Sequence, residues 1–301
     1  MATEYIRTLI NPLFYDPTLD KSISSKETTY KEIREIFGSN ALELHPLQYQ
    51  DKDTTNFSSG PRIFWTEYNN ELWKIRLCNN PHDAENIFER TKFAKRLSIP
   101  ISEPIKIMGK YIILKYEPGN ILSEESSEQY INEISQIQSK MNIVRFDEKV
   151  DKQIDLNIEE LCNISLKGLQ KNLGHESTQR IKEIVSARPK IIATYDHQDY
   201  GLHNIIKTHD SRIILVDEEA FGILPLGYGV IRPIFDRPNY RISANITIEE
   251  YLKHHSAESR EYILTNMRFF KAVFILRNSY RRLRAGNHIA AQKLLAEARE
   301  L

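Results

Sequence analysis

The segment HQDYGLHN and the acid that follows it constrain this chain most. His197, Asp199 and Asn204 form the pattern H-x-D-x4-N, and Asp217 stands at the end of the apolar run IILV. Two short strands between Asn204 and Asp217 would bring the ends of this stretch together. We therefore expect Asp199, Asn204 and Asp217 to lie close together at the end of these two strands.

These residue types indicate a particular chemistry. An asparagine carbonyl and an aspartate carboxylate are hard oxygen ligands suited to Mg²⁺, which keeps several waters and uses few protein groups. A separate aspartate can accept the proton of an attacking hydroxyl group. With a cation on the nucleotide phosphates, these are the components of phosphoryl transfer.

Composition and charge exclude other classes of protein. The 301 residues are 41% hydrophobic and 27% charged, which is typical of globular proteins, and the formal net charge is zero. Nothing in this balance favours nucleic acid or an anionic membrane, and we expect neither as a partner. Cys78 and Cys162 lie far apart without metal-ligand spacing, which suits a reducing compartment. The start of the chain lacks the pattern of a secretory signal and no apolar run could span a membrane, so we expect a cytoplasmic protein.

The first part of the chain is predicted to be rich in strands. Residues 1–25 are expected to form an irregular arm, followed by a helix over SSKETTYKEIREIFG and a strand over ALELHPLQYQ. The pair Asn69-Asn70 suits a tight hairpin turn. A helix is predicted over DAENIFERTKFAKRL, and two strands are predicted around Gly109.

The rest of the chain is predicted to be mostly helical. The segment HQDYGLHN is predicted to be followed by a hairpin that turns at residues 209–211. The last third of the chain carries the apolar stripes of a buried helix. The arginines of RNSYRRLR are expected to lie on a solvated helix face. We predict an α+β fold with two lobes: a small strand-rich amino-terminal lobe, residues 1–117, and a larger helical carboxy-terminal lobe, residues 118–301.

At these residues the chain resembles the aminoglycoside phosphotransferase and choline kinase family, which shares the protein-kinase-like fold. The family's catalytic loop, H-x-D-x4-N, is matched by HQDYGLHN, and its metal-binding aspartate by Asp217 in LVDEEAFG. Further stretches match in the right order over roughly residues 30–285: SSGPRIFW, LWKIRL, YIILKYEPG and GILPLGYG.

The resemblance implies a role for each matched residue of HQDYGLHN and for Asp217. Asp199 would be the catalytic base, and Asn204 and Asp217 would hold Mg²⁺. His197 would brace the loop rather than exchange protons. We assign no chemistry to Asp196.

Upstream residues would bind the nucleotide by the same resemblance. Lys74 would contact the inner phosphates and be steadied by Glu89, although Glu85, one turn away, leaves this pairing open. The backbone near Leu114 and Tyr116 would recognise the base. The phosphate loop, which has fewer glycines than such loops often have, would use three residues: Ser58, Ser59 and Gly60.

We therefore expect an enzyme that transfers the γ-phosphate of ATP, or GTP, to a hydroxyl of a small molecule. The acceptor could be an antibiotic or an amino-alcohol or sugar metabolite, and a cationic one would need acids such as Glu218, Glu219 and Asp236. One alternative is a protein kinase, although no insert like an activation loop follows Asp217. Another is a regulatory module that binds nucleotide without catalysis, against which the intact Asp199 argues. Oligomeric state stays open.

Overall fold

The computed structural model describes residues 2–11, 26–47 and 62–301. These described residues form two compact units, which we call the sheet unit and the helical unit. The sheet unit draws on Met1–Leu9, Asp20–Leu122 and His203–Glu219. The helical unit draws on Ile10–Leu19, Ser123–Leu202 and Ala220–Leu301. The lobe limits predicted from the sequence, residues 1–117 and 118–301, stay a prediction.

The elements are numbered in chain order. The strands are β1 (His45–Pro46), β2 (Ile63–Tyr68), β3 (Glu71–Leu77), β4 (Pro104–Met108), β5 (Tyr111–Lys115), β6 (Gly119–Ile121), β7 (Ala193–His197), β8 (Ile205–Thr208), β9 (Ile213–Leu215) and β10 (Phe221–Pro225). The α-helices are α1 (Ala2–Leu9), α2 (Lys26–Phe37), α3 (Pro81–Arg96), α4 (Glu124–Ser127), α5 (Ile131–Asn142), α6 (Glu148–Leu173), α7 (Gln179–Ser186), α8 (Ile231–Phe235), α9 (Ile248–Tyr251), α10 (Ala257–Arg284) and α11 (His288–Glu297).

The sheet unit contains an antiparallel sheet with the strand order β1-β2-β3-β5-β4. Alternate residues of a strand face opposite sides, and here both sides are covered. One side joins α2 in a core cluster that contains Ile33, Ile75 and Ile113. The other side joins α3 in a cluster that contains Ala84 and Leu114. Because Ile75 faces α2, its neighbours on β3 face α3.

Turn chemistry explains the hairpins of this unit. Asn69 and Asn70 have φ angles of 55° and 60°, the left-handed values that a two-residue turn between twisted strands requires. This confirms the predicted β2–β3 hairpin. Gly109 joins β4 to β5 with a φ of 58°, also as predicted. Helix α3 begins where the Asn80 side chain accepts a hydrogen bond from the backbone N–H of Asp83 at 2.8 Å.

A second, three-stranded sheet in this unit has the order β6-β8-β9. Strands β8 and β9 form the hairpin predicted around residues 209–211, and Ser211 takes a left-handed φ of 64° in its turn. Ile205 lies opposite Leu215 in the ladder. Gly119 of β6 approaches β8 so closely that a Cβ atom there would lie 2.4 Å from the carbonyl oxygen of Lys207.

Two sequence predictions need correction. The start of the chain was expected to be irregular, yet residues 2–9 form α1, which packs against α3 with Tyr5 in contact with Arg96. An amphipathic segment can fold when a neighbouring helix covers its apolar side, and tertiary contact decides such short helices. The strand predicted over ALELHPLQYQ is reduced to His45–Pro46, and its last three residues lie outside the described part of the chain.

Long helices dominate the helical unit. Helix α10 packs on α6, and the predicted apolar stripes of α10 are largely buried, including Phe270, Val273 and Leu276. The two helices approach most tightly at Gly168 of α6, where a Cβ atom would lie 2.2 Å from the ring of Tyr280. Beside these helices, β7 and β10 form a fully buried antiparallel pair.

These observations confirm the predicted α+β class, with an antiparallel strand-rich part followed by a helical part. Within the described ranges, no helix combines the length and apolarity that a membrane span requires.

The close contact at Gly168 generates a stability prediction. Glycine to alanine in a helix interior normally stabilises by about 1 kcal/mol. At Gly168 the added methyl group must displace the Tyr280 ring, so Gly168→Ala should instead lower the free energy of unfolding by roughly 1–3 kcal/mol. Urea unfolding followed by circular dichroism measures this value.

Asn163→Ala is the matched control, because Asn163 is an exposed residue of the same helix. We expect its effect to stay within about 0.5 kcal/mol. A Gly168→Ala protein as stable as the unmodified chain would show that the ring moves away without cost.

Candidate active site

The β8–β9 hairpin brings Asn204 and Asp217 to the same end of one ladder. Asn204 precedes β8 and is 5% exposed, and Asp217 follows β9 after one residue. The backbone N–H of Val216 donates to the carbonyl oxygen of Asn204 at 3.0 Å. The two residues predicted to hold a metal therefore lie at neighbouring positions, as the hairpin argument required. Their binding of a metal stays a prediction.

The backbone of Asp217 adopts an uncommon conformation. Its φ of 69° is left-handed, a region that residues other than glycine rarely adopt, although aspartate and asparagine tolerate it better than most. Such a conformation costs about 1–3 kcal/mol and persists only where the surrounding structure fixes it. Residues of this kind cluster at functional sites, so the geometry points to Asp217 independently of the sequence motif.

Lys74 lies on the α3 side of β3 and is buried, with 1% of its surface exposed. Its ammonium nitrogen lies 2.6 Å from Oε1 of Glu218, which is fully buried. Either charge without the other would be strongly destabilising in this environment. The pair therefore ties β3 to the segment after β9.

Arg76, two residues further along β3, reaches the same segment. Its guanidinium lies 3.1 Å from Oδ1 of Asp217 and 3.5 Å from Oε2 of Glu218, and it also contacts Glu219. We call these five residues the ion cluster: Lys74, Arg76, Asp217, Glu218 and Glu219. All of them belong to the sheet unit.

The electrostatics of the ion cluster favour the charged forms of Arg76 and Glu218. Burial lowers the pKa of Arg76, but the negative charges of Glu219, Asp217 and Glu218 raise it well above the ordinary value. Burial raises the pKa of Glu218, and the charges of Lys74 and Arg76 more than offset this, so its pKa falls below the usual range. The opposite charges around Arg76 and Glu218 therefore stabilise the ionised form of each.

Glu89, the expected partner of Lys74, forms a salt bridge with Lys92 one turn along α3, at 2.8 Å. The side chains of Glu89 and Lys92 are 32% and 46% exposed. The next residue, Arg90, is 1% exposed, and its charge acts on Glu219. The ionic partner that the structure gives Lys74 is thus Glu218, and the pairing with Glu89 or Glu85 stays a prediction.

The expected base-binding residues continue the same sheet. Leu114 is buried and lies opposite Lys74 in the β3–β5 ladder. The backbone N–H of Tyr116 donates to Leu72 at 2.9 Å, and its ring stacks on Trp65 with centroids 5.5 Å apart. The three residues predicted to form the phosphate loop lie outside the described part of the chain: Ser58, Ser59 and Gly60.

Asp199, the predicted base, belongs to the helical unit. Its carboxylate contacts the guanidinium of Arg232 on α8, which also lies 2.6 Å from Asp236. The rings of Tyr240 and Phe274 lie 5.3 Å and 5.2 Å from this guanidinium. Burial lowers the pKa of Arg232, but the two carboxylates raise it above its ordinary value. Arg232 therefore stays charged and holds Asp199 in place.

The residues before Asp199 are buried in the β7–β10 pair. His197 lies opposite Phe221 and packs edge-to-face on its ring, with centroids 4.6 Å apart, which agrees with a bracing role. Asp196 is fully buried and accepts a hydrogen bond from the backbone N–H of His197 at 2.8 Å. Burial raises the pKa of Asp196 to about 6. A Cβ atom at Gly229 would lie 2.4 Å from its carboxylate.

No protein-family model matches the sequence, and no curated protein is similar to it in sequence. Solved structures match it clearly. The choline kinase LicA from Streptococcus pneumoniae aligns with a TM-score of 0.57 at 12% identity, covering 90% of this chain and 99% of that one.

Two further matches cover the same range. The Plasmodium vivax ethanolamine kinase aligns with a TM-score of 0.59 at 13% identity, covering 94% of this chain and 92% of that one. Aminoglycoside phosphotransferase APH(4)-Ia aligns with a TM-score of 0.59 at 13% identity, covering 91% and 98%. LicA has also been solved with AMP, and a mutant of APH(4)-Ia with ADP and hygromycin B.

The chain has the fold of the choline kinases and aminoglycoside phosphotransferases. The resemblance inferred from the motifs is thereby confirmed for the fold, over nine-tenths of the chain.

The kinase-like fold contains contacts that the motifs did not reveal. Glu218, Glu219 and Asp236 were considered as acids for a cationic acceptor, yet each forms an ion pair with a cation of the chain itself. Arg277 was expected on a solvated helix face but is 8% exposed. It interacts with the hydroxyl of Tyr228, and burial lowers its pKa to about 10.

A kinase-like fold implies a divalent cation, and the residues present fit one. Asn204 and Asp217 offer an amide and a carboxylate oxygen, hard donors of the kind that Mg²⁺ binds together with waters and phosphates. Among the described residues, no group of three or more histidines, cysteines or acids is arranged to hold a metal by itself. Two protein donors would leave the remaining coordination positions of such an ion to waters and other ligands.

The buried carboxyl of Asp196 generates a pH prediction. Its folded pKa of about 6 lies above the ordinary value of 3.8, so the stability it contributes is fully present below pH 3.8 and is lost as the pH rises through 6. Asp196→Asn removes this titration. The free energy of unfolding of the variant minus that of the unmodified chain should rise between about pH 4 and 6, by at most about 3 kcal/mol.

Urea unfolding at several pH values measures this difference, and Asp210→Asn, at an exposed turn, is the control. A difference that stays flat across this pH range would contradict the assignment.

Proposed function

We propose that this chain is a small-molecule phosphotransferase that moves the γ-phosphate of ATP, or GTP, to a hydroxyl group. The observation that carries the proposal is the convergence of Lys74, Asn204 and Asp217 in the sheet unit, with Asp217 held in a left-handed conformation. The kinase-like fold supports it, because its solved members include enzymes of this class.

The sheet unit would bind the nucleotide. The ammonium group of Lys74 would contact phosphate oxygens, and backbone groups near Leu114 and Tyr116 would recognise the base. Asn204 and Asp217 would hold Mg²⁺, which supplies charge neutralisation on the phosphates when it is bound. Arg76 contacts Asp217 in this structure and would help to hold its carboxylate in place.

Asp199 would accept the proton of the acceptor's hydroxyl group as the phosphate is transferred. Its contact with Arg232 fixes the carboxylate, and Arg232 is itself fixed by Asp236. A base held in one orientation can meet a bound hydroxyl without further rearrangement.

The names of the solved neighbours support a choice of acceptors to test. Choline, ethanolamine and aminoglycosides all carry hydroxyl groups, so amino alcohols, sugars and aminoglycoside antibiotics are the first compounds to test. A screen of ATP and GTP consumption against such a panel, followed by mass measurement of the product, identifies both the acceptor and the donor. An addition of one phosphate to the acceptor is the expected result.

Asp199→Asn should abolish the general base while keeping the shape of the side chain. We expect turnover to fall by about 10²–10⁴-fold, with ATP binding retained, since the residues proposed to bind the nucleotide lie elsewhere in the chain. Release of ADP in a coupled assay measures turnover, and calorimetry measures binding. Asp210→Asn serves as the control, and full turnover by Asp199→Asn would exclude Asp199 as the base.

Asn204→Ala should weaken the hold on the divalent cation. We expect a higher Mg²⁺ concentration for half-maximal turnover, because one of the two proposed protein ligands is lost. Titration of Mg²⁺ at fixed ATP measures this value. Asn120→Ala is the matched control, as Asn120 is an exposed residue of the same small sheet. An unchanged Mg²⁺ requirement would remove Asn204 from the site.

A further inference from the structure

We propose that Glu218 is the residue that positions Lys74 for the nucleotide, in place of a glutamate from helix α3. This inference rests on the proposed function and names a further residue of the same site. The two charged atoms lie 2.6 Å apart, and both side chains are at most 2% exposed. No residue of α3 takes part in this contact.

The buried charged residue of helix α3 is a cation and therefore cannot form an ion pair with Lys74. Its buried residue beside the ion cluster is Arg90, and Arg90 acts on Glu219. Glu89 turns towards Lys92 on the partly exposed surface of the helix. A cation on the inner face of α3 cannot neutralise Lys74, so the counter-charge must come from another element.

Glu218 supplies that counter-charge, and its two oxygens face different cations. Oε1 contacts Lys74, and Oε2 lies 3.5 Å from Arg76. One carboxylate thus spans two cations of the same β3 face, which fixes the directions of both side chains. An ammonium group has three N–H donors, so it can bind a carboxylate and phosphate oxygens together.

The position of Glu218 in the chain adds a consequence for the site. Glu218 follows Asp217 directly, so the acid that orients the lysine and the acid proposed to hold the metal share one peptide segment. The left-handed φ of Asp217 sets the course of the backbone between them. Placement of the lysine and placement of the metal ligand are therefore coupled through this segment.

Steady-state kinetics of Glu218→Gln, with the acceptor found by the screen, test the positioning role. Loss of the charge-assisted contact should lower kcat/KM for ATP about tenfold or more, while KM for the acceptor changes less than about threefold. Glu218→Asp, which keeps the charge, should recover part of the loss. Glu71→Gln, at an exposed end of β3, is the control.

Glu89→Gln is the rival variant in the same assay. A loss in kcat/KM for ATP that equals or exceeds that of Glu218→Gln would overturn the proposal. Equal damage to the ATP and acceptor constants in Glu218→Gln would also overturn it, because that pattern indicates general disruption of the fold rather than loss of lysine orientation.

Thermal unfolding tests the pair independently of any activity. Lys74→Met and Glu218→Gln each remove one charge of the buried pair, so the double variant should lose less Tm than the two single losses added together. Additive losses would show that Lys74 and Glu218 are not paired. Absence of turnover with every acceptor, together with a non-additive cycle, would refute the proposed function and leave the pair established.

Discussion

The ion pair between Lys74 and Glu218 is the interaction on which the candidate site of the sheet unit depends. A lysine with 1% of its surface exposed is unstable without a partner, and the segment after β9 supplies one. That requirement fixes the path of the chain through Asp217, whose left-handed backbone would otherwise be unfavourable. Charge pairing, backbone strain and the proposed metal ligand are therefore one connected arrangement.

Alternation along β3 explains how a hydrophobic sheet can carry these charges. Ile75 points into the core beneath α2, so Lys74 and Arg76 must emerge on the other face. Both faces of the sheet are covered, which removes the cations from water and makes their counter-ions obligatory. The sequence of β3 has the pattern of an ordinary amphipathic strand. Its buried cations nevertheless require acidic partners, which come from a segment more than a hundred residues away.

The hairpins that place several site residues could be predicted from the sequence, because local turn chemistry determines them. The hairpins at Asn69-Asn70 and around residues 209–211 follow from local turn chemistry. The second hairpin also explains why Asn204 and Asp217 lie at the same end of one ladder. The partner of Lys74 was not predictable, because Glu85, Glu89 and Glu218 are equivalent as residue types and only tertiary packing separates them. The contact of Asp199 with Arg232 was missed for the same reason, since neither residue signals the other along the chain.

The two tryptophans of the chain, Trp65 and Trp73, both lie in the sheet unit. Trp65 shares a face with Lys74 and stacks on Tyr116, whereas Trp73 packs on the opposite face against the α2 cluster. Indole emission from the intact protein therefore originates from this unit alone, while far-ultraviolet circular dichroism reports mainly on the long helices of the other. Comparing the two optical signals during denaturation distinguishes independent melting of the units from a single cooperative transition.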